Sequence, residues 1–106
     1  MKHTGLLLLF ATALLFCPHC RAQVLTPYHG VAPNTYNFWV YTPEGYSADN
    51  EPLPLVVFLH GASLKGTDLN RVRRYGTLHA LEMGRRIDAI VVAPQCNSGS
   101  PCLQSL

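Results

Sequence analysis

The sequence has little charge and no excess of either sign. Its 106 residues include 8 Lys and Arg against 6 Asp and Glu. Lys2 and Arg21 belong to the N-terminal leader described below, and without them six basic and six acidic residues remain. Nucleic-acid binding relies on a basic surface that neutralises phosphates, so this composition indicates no nucleic-acid role. The arginines between positions 71 and 86 are expected on solvated helix surfaces.

Cysteine is scarce, and the four cysteines fall into two pairs. Cys17 and Cys20 match a CxxC pattern, but they end an apolar leader instead of following a strand, so a thiol–disulfide oxidoreductase is not expected. Cys96 and Cys102 lie in the later part of the chain and can form a disulfide. They have no nearby histidine or acid pair, so no metal site is predicted, and no cofactor is predicted either.

No apolar run is long enough for a comfortable transmembrane helix, which needs about 20 residues. Residues 5–16 are almost entirely apolar, Lys2 precedes them, and small residues at Cys20 and Ala22 follow. This layout predicts a secretory signal peptide over residues 1–22, cleaved after Ala22. We therefore expect export to the periplasm or the extracellular space. The alternative is an uncleaved segment that anchors the chain in the membrane.

Two apolar runs after the leader predict buried strands. Residues 55–59 are rich in β-branched and aromatic side chains, which predicts a strand buried on both faces. Residues 89–93 predict a second buried, parallel strand. An aromatic segment at 36–41 predicts an earlier antiparallel edge strand, and residues 23–35 are expected to be an irregular lead-in.

A helical crossover is predicted between the two apolar runs. Leu69, Val72 and Tyr75 recur at helical spacing, and a second helical stretch ends near Gly84. Thr67 or Asp68 is expected to cap the first stretch. Strand, loop, helix and strand together form one βαβ unit.

Two motifs carry a resemblance to a known family. The first is Val56-Val57-Phe58-Leu59-His60-Gly61-Ala62-Ser63 with Gly66-Thr67-Asp68, and the second is Ile90-Val91-Val92-Ala93-Pro94-Gln95-Cys96. At these motifs the chain resembles the secreted α/β-hydrolases, specifically the esterase and prolyl-oligopeptidase-like group with its dienelactone-hydrolase and phospholipase/carboxylesterase relatives. The resemblance implies an α/β fold, the N-terminal part of a doubly wound, mostly parallel sheet, with residues 23–106 forming a partial hydrolase domain.

The resemblance also implies an oxyanion-hole loop. In this family one oxyanion donor is a backbone N–H from the loop after the third strand, which corresponds here to His60-Gly61-Ala62-Ser63. Ala62 is the first candidate donor and Ser63 the second. Gly61 would let the backbone turn and approach a substrate carbonyl. His60 is expected to brace the loop by side-chain hydrogen bonding, not to act as the catalytic base.

The nucleophile and its partners are missing. None of the five serines lies in Gly-x-Ser-x-Gly, no acidic residue follows Asp88, and no histidine follows His79. The expected function is therefore the N-terminal fragment of a secreted serine hydrolase, truncated before the nucleophile elbow and inactive alone, whose full-length form cleaves small-molecule or polymer-linked carboxylic esters or related acyl bonds. No nucleic-acid or stable membrane partner is expected. The alternative is a non-catalytic exported protein or vestigial product with a Cys96–Cys102 disulfide.

Overall fold

The computed structural model describes residues 22–99 and 101–102, and residues 1–21 of the predicted signal peptide lie outside this part. Four strands form one sheet in the spatial order β1-β2-β4-β3. In chain order they are β1 (Val24–Tyr28), β2 (Phe38–Thr42), β3 (Leu55–Val57) and β4 (Ile90–Pro94). The central strands are therefore β2 and β4, with β1 and β3 at the edges.

The predicted doubly wound, mostly parallel sheet of a hydrolase domain is wrong for the described chain. β1 pairs antiparallel with β2, and β2 pairs antiparallel with β4. Only β3 and β4 are parallel. The connection between β1 and β2 spans nine residues, which is shorter than the dozen or so that a parallel crossover requires. β1 itself lies in the segment that was expected to be irregular.

Among the described residues, helical structure is limited to the connection between β3 and β4. It consists of two short 3-10 helices, Ala62–Leu64 and Leu69–Arg73, and one α-helix, α1 (Gly76–Glu82). The side chain of Asp68 accepts a hydrogen bond from the N–H of Asn70 at 3.1 Å, which confirms a cap at this position. One α-helix of seven residues is too little to cover both faces of a sheet.

The core lies between the helices and one face of the sheet. At its centre, the indole Nε1 of Trp39 donates to the carbonyl oxygen of Leu69 at 2.9 Å. The guanidinium of Arg73 lies 4.9 Å from the centre of the Trp39 ring and pairs with Glu82. The buried core comprises Trp39, Tyr41, Leu69, Val72, Leu78, Leu81, Val91 and Ala93.

The opposite face of the sheet is apolar and open among the described residues. Side chains alternate between faces along a strand, and Val57 is paired with Val92 and Val92 with Val40 on this second face. Leu55 is 64% exposed and Val57 is 56% exposed. The expectation that 55–59 is buried on both faces is therefore wrong, because the helices pack on the Trp39 face only. Within the described part of the chain, no helix has the length and apolar character needed to cross a membrane.

Candidate functional site

The segment after β3 brings the predicted loop to the end of β4. The N–H of Phe58 still donates to the carbonyl oxygen of Val92 at 2.9 Å, one step beyond β3. Gly61 then adopts an extended conformation, with φ −78° and ψ 173°, and the first 3-10 helix begins at Ala62. Any residue can adopt the Gly61 backbone angles. A Cβ atom at Gly61 would have open space around it, so the lack of a side chain here keeps the loop surface clear.

His60 connects this loop to the residue that follows Gln95. Its Nε2 accepts a hydrogen bond from the backbone N–H of Cys96 at 2.9 Å. Its Nδ1 lies 2.7 Å from the carbonyl oxygen of Gly61. A backbone N–H can only donate, so Nε2 carries no proton and Nδ1–H donates to Gly61. Both ring nitrogens are therefore used within the protein, in the neutral form of the imidazole.

Gln95 makes a second connection that the sequence did not indicate. Its side chain is 2% exposed, and its Nε2 donates to the carbonyl oxygens of Leu64 at 3.0 Å and Asp68 at 2.8 Å. Its own N–H donates to Asn37 on the other side of the sheet end at 2.8 Å. One buried amide thus holds the two ends of the 64–68 segment against β4.

Two further hydrogen bonds complete the attachment of the loop. The N–H of Gly66 donates to the carbonyl oxygen of Cys96 at 2.9 Å. The guanidinium of Arg71 donates to the carbonyl oxygen of Ser63 at 3.0 Å. One donor of the loop, at Gly66, and one acceptor, at Ser63, are thus tied to groups outside it, which restricts its conformations.

The backbone N–H groups of the two predicted donors lie at the start of the first 3-10 helix. The first hydrogen bond of this helix runs from the N–H of Leu64 to the carbonyl oxygen of Gly61. The N–H groups of Ala62 and Ser63 precede it, so the helix does not use them. The structure thus places the predicted residues 60–63 together in one exposed loop, with His60 half-buried beneath it.

A cavity of about 340 Å³ lies next to His60, on the open side of the sheet. The disulfide between Cys96 and Cys102 contributes one wall, with the two Cα atoms 5.5 Å apart. The remaining described lining residues are Tyr36, Val57, Leu59, His60 and Pro94. Among the residues that the structure describes, no group of His, Cys, Asp or Glu side chains is arranged to hold a metal ion.

The arrangement offers two backbone donors in the loop that continues from His60, and His60 lines an apolar cavity. Ser63 is an exposed residue of this loop. The exposed His79 lies on α1 and is not among the described residues that line the cavity. Comparison with known proteins gave no match: no family model, no curated protein and no solved structure is similar to this chain.

Proposed function

We propose that this chain is part of a secreted serine hydrolase that cleaves carboxylic ester or related acyl bonds. Its contribution would be the oxyanion loop at residues 60–63. The observation that carries the proposal is the attachment of this loop to the end of β4 beside an apolar cavity, through His60 and Gln95. The nucleophile and its acid–base partners would come from polypeptide outside this sequence.

Fixed position is the property that an oxyanion donor requires. A donor stabilises the developing oxyanion because it is already oriented before the reaction, and loss of one such donor costs about 10²–10³ in kcat. His60 and Gln95 supply that restraint from below the loop. Gly61 leaves the approach to the Ala62 N–H without a neighbouring side chain. The motif resemblance to secreted esterases supports the same role for Ala62.

The first experiment tests whether this chain has esterase activity without further polypeptide. The purified chain should not hydrolyse p-nitrophenyl butyrate above the buffer rate, since it has no Gly-x-Ser-x-Gly motif. Measurable turnover would contradict the assignment of the nucleophile to other polypeptide. The nucleotide sequence after the Leu106 codon is the second test, because a downstream frame encoding Gly-x-Ser-x-Gly supports the proposal and an intergenic region argues against it.

The role of Ala62 can be tested by removing its N–H alone. Proline has no N–H, and it is well accepted as the first residue of a helix, which is the position of Ala62. Gly61 already has the extended conformation that a residue before proline needs. In a longer chain that includes the proposed nucleophile and is active, Ala62→Pro should lower kcat by about 10²–10³, whereas Ala62→Gly should retain most of the activity. Equal activity of the two variants would exclude the Ala62 donor.

Export of the chain is also a proposal. The residues before Gln23 have the layout of a signal peptide, and the Cys96–Cys102 disulfide is compatible with an oxidising compartment. The disulfide also favours a second candidate function, a non-catalytic exported protein that folds without further polypeptide. A cooperative thermal transition of residues 23–106, followed by circular dichroism, would favour that second candidate.

A further inference from the structure

The cavity beside His60 has no charged lining among the described residues. Its walls are the aliphatic side chains of Val57 and Leu59, the ring of Pro94, the two aromatic rings of Tyr36 and His60, and the disulfide. The two aliphatic residues are more than half exposed. A ligand in the cavity would therefore cover apolar surface that is otherwise in contact with water, which favours binding in proportion to the area covered.

The polar side-chain atoms of Tyr36 and His60 in the lining already have partners within the protein. The hydroxyl of Tyr36 donates to the carbonyl oxygen of Cys102 at 3.4 Å. Both ring nitrogens of His60 are hydrogen-bonded to the backbone, at Gly61 and Cys96. A charged or strongly polar ligand would give up its hydrogen bonds with water and gain few in return.

The volume of the cavity sets the size of the ligand. About 340 Å³ lies within the range of small-molecule sites, roughly 300–1,000 Å³. It is also roughly twice the volume of the ~150 Å³ apolar cavity that holds a benzene molecule. The space therefore fits one medium-length alkyl chain or one fused aromatic ring system.

We propose that this cavity binds an uncharged apolar group, either an alkyl chain or an aromatic ring. Its role as a substrate site rests on the proposed function, because the cavity adjoins the loop that would hold the oxyanion. The substrate class is then esters with an apolar acyl or alcohol part, in preference to esters of sugars or of charged acids. The binding of the apolar group itself does not require the oxyanion role.

A fluorescence titration of the full chain with N-phenyl-1-naphthylamine tests the proposal. This neutral probe becomes brighter in apolar surroundings, and we expect saturable binding of one probe per chain. Octan-1-ol should displace it, whereas octanoate and glycerol should not at the same concentration. Absence of saturable binding, or displacement by octanoate as readily as by octan-1-ol, would overturn the assignment.

The open sheet face provides a matched pair of variants. Leu59 follows β3, lines the cavity and is 63% exposed. Leu55 in β3 is on the same open face with almost the same exposure, but it does not line the cavity. Leu59→Asn should weaken probe binding about tenfold, because one leucine contact is lost, and Leu55→Asn should leave it within about twofold. Equal losses in both variants would mean general adsorption to the apolar face and would refute the site. Far-ultraviolet circular dichroism of each variant checks that the fold is retained.

Failure of the ligand site and failure of the hydrolase proposal give different results. The probe and octan-1-ol have no carbonyl group, so their binding does not depend on the Ala62 donor. Saturable binding combined with an intergenic sequence after Leu106 would retain the ligand site and reject the hydrolase. If a longer chain that includes the nucleophile is active but prefers acetyl over octanoyl esters, the hydrolase proposal is kept and the apolar substrate site is rejected.

Discussion

Replacing Gln95 by leucine should destabilise the protein because one buried amide holds a whole loop. The Gln95 side chain is 2% exposed and donates through Nε2 to two carbonyl oxygens, those of Leu64 and Asp68. Leucine is similar in size and apolar, so Gln95→Leu keeps the space filled and removes both donors. The carbonyl oxygen of Leu64 then loses its side-chain donor, whereas that of Asp68 keeps the N–H of Arg71 at 3.1 Å.

The magnitude follows from the burial of the two acceptors. Leu64 is 4% exposed, and leaving a buried acceptor unsatisfied costs about 1–3 kcal/mol. Asp68 is exposed, and its carbonyl oxygen also accepts from the N–H of Arg71, so the loss of this bond contributes about 0.5–1.5 kcal/mol. The leucine side chain gains some apolar transfer free energy, which offsets part of the loss. We therefore expect a net destabilisation of roughly 2 kcal/mol, or about 8–16 °C in Tm for a domain of this size.

Urea unfolding measures this directly, because Trp39 is the only tryptophan in the chain and is buried in the core. Gln95→Leu should lower the free energy of unfolding without a large change in the m-value. Amide hydrogen exchange at Gly66, whose N–H donates to Cys96, should become faster as the loop loosens. Asn97→Leu is the control, since Asn97 is exposed two residues further on and its replacement should have little effect. If Gln95→Leu changed the free energy of unfolding no more than Asn97→Leu, the loop would not depend on this amide.

Three other predictions concern a close approach, the disulfide and export. At Gly76 (φ +73°) an added Cβ atom would collide with Cζ of Phe58, whereas at Gly84 (φ +96°) it would meet nothing within 4 Å. Gly84→Ala should therefore lower the free energy of unfolding by about 1–2 kcal/mol through backbone strain alone. Gly76→Ala should lower it by about 1–3 kcal/mol more, and urea unfolding of both variants measures the difference. Cys102→Ser opens a disulfide that joins residues six apart and should cost about 2 kcal/mol; thermal melts with and without reductant should then agree for the variant and differ for the parent. Export should yield a chain cleaved after Ala22, and an intact mass that still includes the leader would refute the signal peptide.

The residue pattern predicted the elements of the crossover well. The β-branched run before His60 predicted a strand, and the structure has β3 at Leu55–Val57. Thr67 or Asp68 is the predicted cap of the first helical stretch, and in the structure Asp68 is the cap. These features are local, since they depend on side-chain periodicity and on hydrogen bonds between residues close in sequence. Strands and helix caps of this kind can therefore be predicted from the sequence.

The strand β1 is not predicted from the sequence, because Pro27, Gly30 and Pro33 favour irregular backbone over residues 23–35. Proline cannot donate to a strand ladder, but an edge strand needs only one of its two sides for pairing. β1 is such an edge, and Pro27 lies opposite Trp39 in its register with β2. The antiparallel direction of that pairing was not predicted either, since it depends on how the nine residues between the strands fold back.

The loop attachment could be predicted only in part. His60 was expected to brace the loop from its place in a motif, but nothing in the pattern indicated that its partner is the Cys96 N–H. Gln95 belongs to the second motif, but the residue pattern predicts no role for it. Its acceptors are backbone carbonyl oxygens at Leu64 and Asp68, and every residue has such a group. The sequence therefore does not predict which backbone carbonyl oxygen accepts a hydrogen bond from a buried side-chain amide.

The apolar residues of 55–59 explain why the fold prediction and the structure disagree. Their composition indicates burial on both faces, yet Leu55, Val57 and Leu59 are each more than half exposed on the open face. Covering that face would be favourable by about 25 cal/mol for each Å² of apolar surface removed from water. A small ligand covers only the part of this face beside His60, so its binding depends on Leu59 and not on Leu55. A polypeptide laid across the whole sheet would bury both. The paired asparagine substitutions therefore distinguish a ligand site beside His60 from a polypeptide contact across the whole sheet face.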